Sequence, residues 1–308
     1  MDADFYFDLI TACWLGFTGA CIGSFLNVVA YRVPQGMTIV WKPSHCPNCS
    51  HAIRARDNIP VLGWLLLGGR CRDCGQPISP RYALVELAMG AAFFVLAYGE
   101  LFSGGANLPG GPLTEFTGAM NIVWYPDWPM IAIYLYHCLL LSLLAVVVLW
   151  DMDKNPIPRG FTWFAAAAIV TSALALPGLY PDRQWFVGQP RLSGIVDALT
   201  GGAILSVLGF VVWGLVRTVL SVRSTGEAAR DALRYTYTLS LAGFIAGGFL
   251  GRYAALALLL LWAIGMVATR IGNRLVSDAR ISLLPSLWLA TLIFILFWRP
   301  LIEVLPIR

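Results

Sequence analysis

The stretch LLAVVVLWDMDKNPIPRG, residues 143–160, is an apolar run that ends on Asp151 and Asp153 and is then stopped by Pro156 and Pro158. Proline has no backbone N–H to continue a helix and turns its predecessor away from helical geometry. Upstream, the run continues without an acid, Lys or Arg back to Pro129. That is enough helix to cross the roughly 30 Å hydrocarbon core of a bilayer. Two carboxylates therefore stand at the mouth of a membrane span.

Segments of the same kind recur near 8–30, 84–104, 129–150, 160–177, 193–216, 234–249, 253–269 and 283–303. The chain is 58% hydrophobic and only 12% charged, against roughly 25% charged in soluble domains. The reading is an all-α membrane protein of about eight transmembrane helices. Residues 1–30 form the first helix, 31–82 a cytoplasmic loop, and 83–308 a seven-helix membrane domain. The opening MDADFYFD is acidic, unlike the cationic start of a cleavable signal. No internal repeat stands out.

Lys and Arg orient the loops, since they collect on the cytoplasmic side. Loop 31–82 holds Arg32, Lys42, Arg54, Arg56, Arg70, Arg72 and Arg81 against Asp57 and Asp73, whereas 105–128 holds neither Lys nor Arg. Loops 151–159, 217–233 and 270–282 are again basic; only 178–192, with two Arg, departs from the alternation. The net charge of +4 is thus a topology signal. It points to a lipid bilayer as partner and not to nucleic acid.

Within 31–82, Cys46/Cys49 and Cys71/Cys74 are two C-x-x-C pairs. Each pair offers two thiolates from one tight turn, and two such turns make a tetrahedral sulfur site for structural zinc. Pro47 and Gly75 suit the turns. A closed four-thiolate site organises a loop too small to build its own core. The rival reading is a pair of redox dithiols. His45 and His51 flank the first pair as alternative ligands, while Cys13, Cys21, Cys138 and His137 lie in apolar spans and read as packing residues.

Acid proteolysis requires two carboxylates that share one proton and grip a water. Asp151 and Asp153, two apart, do not face each other on a helix, so a partner for Asp151 has to come from another cytoplasmic loop. Asp231 and Asp278 lie in such loops, whereas Asp197 starts the fifth span on the outer side, roughly 30 Å away across the hydrocarbon. Ser24 and Asn27 share one helical face in the first span, and Glu86 lies near the inner end of the second. Polar groups at that depth should turn inward.

GSFLNVVAYRVP (23–34), the double-cysteine loop with NIPVLGWLLLGGRCRDCGQPIS, and RYALVEL (81–87) resemble type IV prepilin leader peptidases. So does DMDKNPIP, which fits that family's Asp-x-Asp-x-x-x-(Ile/Leu)-Pro motif, and SLLPSLWLA (282–290) is similar to its last span. The resemblance implies a membrane aspartyl endopeptidase of the bacterial inner membrane. Such an enzyme cleaves the basic leader of type IV prepilins or pseudopilins at the cytoplasmic face and can methylate the new N-terminus from S-adenosylmethionine. It makes Asp151 the first catalytic aspartate. The family's second aspartate lies in Gly-x-Gly-Asp, a motif this chain lacks; the matching span, RYTYTLSLAGFIAGGFLG (234–251), puts Thr238 or Leu239 there. Asp231 is the expected substitute, with Asp153 as an auxiliary charge. The alternative is a catalytically degenerate protein that binds prepilins during assembly without cutting them.

Overall fold

The described parts of the expected apolar segments are mainly helical. A computed structural model describes residues 3–40, 43–109, 111–115, 117–175, 190–219, 226–275 and 284–304. The helices are α1 (Ala3–Arg32), α2 (Leu62–Leu66), α3 (Arg81–Leu96), α4 (Ala119–Trp124), α5 (Trp128–Met152), α6 (Arg159–Ala175), α7 (Pro190–Val219), α8 (Gly226–Leu275), α9 (Leu284–Leu296) and α10 (Trp298–Val304). Residues 97–101 prolong α3 by a π-helical turn. No strand occurs among the described residues.

Five stretches are long and apolar enough to cross a membrane: Ala3–Gln35, Arg81–Leu101, Trp128–Met152, Leu192–Val211 and Arg234–Met266. Arg159–Ala175 and Leu284–Leu296 are shorter apolar helices. The longest stretch is two helices in one, because α8 bends at Gly251, whose φ of 82° and ψ of 175° are not helical. With α8 counted on both sides of that bend, the helices correspond to the eight expected segments, and the protein is a multi-pass membrane protein. Most of the loop 178–192 lies outside the described residues.

The chain divides into two compact units, Met1–Ser103 with Phe116–Asp127, and Gly104–Glu115 with Trp128–Arg308. In the first, α1 packs along α3 at a distance only small residues allow. A Cβ on Gly19 would meet Met89 O at 2.7 Å, and one on Gly23 would meet Glu86 Cα at 2.9 Å. Asn27, buried on the same face, donates to Tyr82 O at 3.3 Å. Asn27 thus turns inward as expected and hydrogen-bonds across the two helices.

In the second unit α5 is the central helix and packs against α8 and α9. Trp288 Nε1 donates to Leu141 O at 2.9 Å, and Tyr136 donates to Phe249 O while its ring stacks on that phenylalanine. His137 is fully buried beside Tyr136 and Trp298, a helix–helix contact as expected. α7 lies against α8 through a small-residue seam: Gly243, Gly247 and Gly251 recur every four residues, and a Cβ on Gly247 would run into the Gly201 carbonyl. This is the close helix approach that drives association where lipid is as apolar as the side chains. One residue past the bend, Arg252 Nε lies 3.2 Å from Asp197 Oδ1, both side chains largely buried. Asp197 thus serves α7–α8 packing. Its partner follows Phe249 by three residues, and Phe249 stacks on Tyr136, fifteen residues before Asp151, so about 22 Å of α5 lies between this pair and Asp151.

Two losses are expected on unfolding in detergent. Gly251→Ala places a side chain in backbone geometry reserved for glycine and should cost about 1–3 kcal/mol. Arg252→Met strands the Asp197 carboxylate and should cost about 3–5 kcal/mol.

Candidate functional site

Two groups carry chemistry, one in each unit. The first is the four-cysteine loop. Cys46 O accepts from Ser50 N at 2.9 Å, and Cys71 O accepts from Gly75 N at 2.9 Å. Bridges His45–Ala52 and Arg70–Pro77 close the two turns, and Ser50 and Gly75 both take positive φ, 61° and 70°. Ile53 N→Ser44 O and Ile78 N→Gly69 O, at 2.9 and 2.7 Å, complete the match. CPNCSHAI (46–53) and CRDCGQPI (71–78) are thus one knuckle used twice, a repeat too divergent in letters to stand out in the sequence.

The Cys46 and Cys74 sulfurs are 3.9 Å apart, the Cys49 and Cys71 sulfurs 4.0 Å, and all four lie within 4.8 Å of one another. Tetrahedral zinc with Zn–S near 2.3 Å needs sulfurs about 3.8 Å apart, so the set fits. The Gln76 backbone N–H, then the Asn48 side chain, hold the Cys74 thiol down at about 6. Backbone N–H groups of Cys49 and Asn48 hold Cys46 down as well. Against the lowering pull of the His51 backbone, desolvation and the neighbouring sulfurs push Cys49 up to about 12. Four thiolates repel one another without a cation among them, and a metal ion removes that conflict. The cluster can hold a metal ion. His45 and His51 are not in it: His51 is exposed, and half-buried His45 has its Nδ1 3.3 Å from Pro43 O.

Around the knuckles, Arg72 grips Asp57 through two bonds of 2.7 and 2.6 Å. That fork holds the Asp57 carboxyl below its usual range and ties the second knuckle to the turn Ala55–Asp57.

The second group lies at the end of α5. Asp151 is 6% exposed, while Asp153 and Lys154 are exposed. The helix ends as Asn155 N donates to Trp150 O at 2.8 Å and Lys154 N donates to Asp151 O at 3.0 Å, with Lys154 at φ 55°. This is a Schellman closure with lysine where glycine is usual; the cation also complements the helix C-terminus. It turns the chain away after Asp151 and leaves that carboxyl inside and Asp153 outside.

Trp150 meets Phe161 edge to face at 4.8 Å, and Thr162 Oγ1 lies 3.2 Å from the Tyr237 hydroxyl. The end of α5, the start of α6 and the Tyr237 turn of α8 are therefore neighbours. Thr238 and Leu239 are each 1% exposed, and the Thr238 hydroxyl donates back to Arg234 O at 2.9 Å. Arg234 is half-buried, and its Nε and Nη1 atoms are buried with no hydrogen-bond partner among the described residues, a cation in this stretch that sequence reasoning did not single out. Asp231 belongs to the helical backbone of α8, six residues before Tyr237, or about 9 Å along the axis; its side chain lies outside the described residues, as does all of Asp278.

The family model described as Bacterial Peptidase A24 N-terminal domain matches residues 17–99. The prepilin leader peptidase/N-methyltransferase of Stutzerimonas stutzeri is 35% identical over 266 residues, 74% of this chain and 87% of that protein. The chain belongs to the prepilin leader peptidase/N-methyltransferase family. Proteins of the same name match over shorter stretches. That of Myxococcus xanthus is 53% identical over 89 residues, 29% of this chain and 27% of its own length. That of Klebsiella pneumoniae is 38% identical over 155 residues, 48% of this chain and 56% of its own length. The chain therefore spans about a quarter of the first and just over half of the second. No solved structure matches it. The four-cysteine loop of this family member falls wholly inside the matched 17–99.

Elemental analysis of the purified protein should find about one zinc per chain. Cys71→Ser or Cys74→Ser should lose it, and His51→Ala should keep it.

Proposed function

We propose that this protein processes prepilins: it binds the basic leader of a type IV prepilin or pseudopilin and hydrolyses it at the cytoplasmic face of the bacterial inner membrane. Burial of Asp151 at the closed end of α5 carries the reading, because an acid held beside hydrocarbon and next to the Tyr237 turn of α8 is suited to acid–base work. Asp231, two helical turns upstream of Thr238, is the second member of the pair, and Asp153 is an auxiliary charge at the rim. One carboxylate takes a proton from water as its oxygen attacks the scissile carbonyl carbon. The other, protonated, polarises the carbonyl and then protonates the departing amine as the C–N bond breaks. A leader rich in Lys or Arg stays inside by the rule that orients the loops, which brings its cleavage point to the membrane surface. Zinc is the metal of the four-cysteine loop, with a folding role. Methyl transfer from S-adenosylmethionine belongs to the reading through the relatives' name, and no residue is assigned to it.

A second reading has its own support. Near the Tyr237 turn the described side chains of α8 include Thr238, Leu239 and the cation Arg234, none able to share a proton as a carboxylate does. That favours a protein that binds prepilins without cutting them.

Proteoliposomes holding the chain and a prepilin separate the readings by product mass. Wild type should release the leader, and Asp151→Asn and Asp231→Asn should each slow release by about 10²–10⁴. Normal cleavage by Asp231→Asn removes that residue from the pair. Stable prepilin binding by an uncleaving wild type puts the binding reading first.

A further inference from the structure

Val61 is in an unusual place for a β-branched residue. Its φ of 61° and ψ of −53° precede α2, and Leu62 N donates back to Pro60 O at 2.6 Å, which makes Val61 the centre of a strained γ-turn. Its own N–H donates to Glu86 Oε2 at 2.7 Å. Glu86 is five residues into α3, about 7.5 Å along the axis.

The span Arg81–Leu101 has 21 residues, about 31 Å of helix, barely the thickness of the hydrocarbon core. Its first turns cannot stand clear of the bilayer, and Leu84 and Leu87 there are 61% and 55% exposed. The Val61–Glu86 bond therefore holds the start of α2 against the first turns of α3. Trp64 Nε1, donating to Ile78 O at 3.0 Å, ties the next turn to the chain just before α3. On α2 itself, Leu62, Leu65 and Leu66 are 54%, 58% and 76% exposed. Their i, i+3, i+4 spacing puts them on one face, with exposed Arg56 and Arg70 nearby in the chain to meet anionic headgroups.

We infer that α2 is an interfacial anchor: its leucine face inserts into the acyl chains of the leaflet on the four-cysteine side, and the Glu86–Val61 bond sets its depth. The anchor holds the knuckles against the bilayer surface and satisfies a carboxylate that lipid would leave unpaired. It does not depend on whether the chain cleaves prepilins.

The test uses the full chain in vesicles of phosphatidylethanolamine and phosphatidylglycerol, with a nitroxide attached through an encoded ketone amino acid at position 66, 73 or 87. Collisions with oxygen, which concentrates in lipid, are compared with those of a water-soluble nickel chelate; zinc content certifies the fold. Position 66 should favour oxygen severalfold, as 87 does, at a depth of about 5–10 Å, while 73 should favour the chelate. Leu62→Lys with Leu65→Lys should move position 66 toward the chelate with zinc retained. Chelate-dominated collisions at 66 in the unmutated anchor would overturn the inference. So would protection of 66 from both agents, which means protein covers the face, or oxygen preference that arises only when a prepilin is added.

Discussion

Hydrocarbon offers polar groups no water, so every donor and acceptor that enters it has to find a partner inside the protein. Several described polar groups of this chain answer that constraint. Asn27 reaches the Tyr82 carbonyl across α1 and α3, Glu86 takes the N–H of a strained turn, and Asp197 lies against Arg252 beside the α8 bend. Asp151 sits one residue before the end of α5, where the chain turns away through Lys154. Each arrangement fixes a helix end or a crossing, so the sparse polar residues set the geometry while the abundant apolar ones supply the bulk.

The four-cysteine loop solves a different problem. It is too short and too polar to bury a core, and two copies of one knuckle bring four sulfurs to metal-binding distance instead. Backbone N–H groups lower some of its thiols while the crowding of sulfur raises Cys49. A metal ion held among the four sulfurs would relieve that conflict and add its binding energy to the fold. The Arg72–Asp57 fork and the Trp64–Ile78 bond extend the order to the turns around it.

At the α5 end, a buried carboxylate is joined through the start of α6 to the Tyr237 turn of α8. Leu239 and Thr238 fill space there, and half-buried Arg234 adds positive charge. Hydrolysis and simple binding of a basic, membrane-anchored leader make the same demand for an acid at the surface; they differ in whether a second acid shares its proton.

The apolar helices, the stop after Asp151 and the clustering of the four cysteines were legible in the sequence because each rests on a local rule: length of apolar run, proline placement, and the reach of two thiols from one turn. The family was legible too, through motifs contiguous in the chain. Tertiary structure supplied what depends on contacts between distant residues. It buried Asp151 and exposed Asp153 two positions away, paired Asp197 with Arg252, joined Glu86 to Val61, and revealed the second knuckle as a copy of the first. None of these could be read from spacing, since a side chain's neighbours across helices follow from which faces pack and not from its place in the chain.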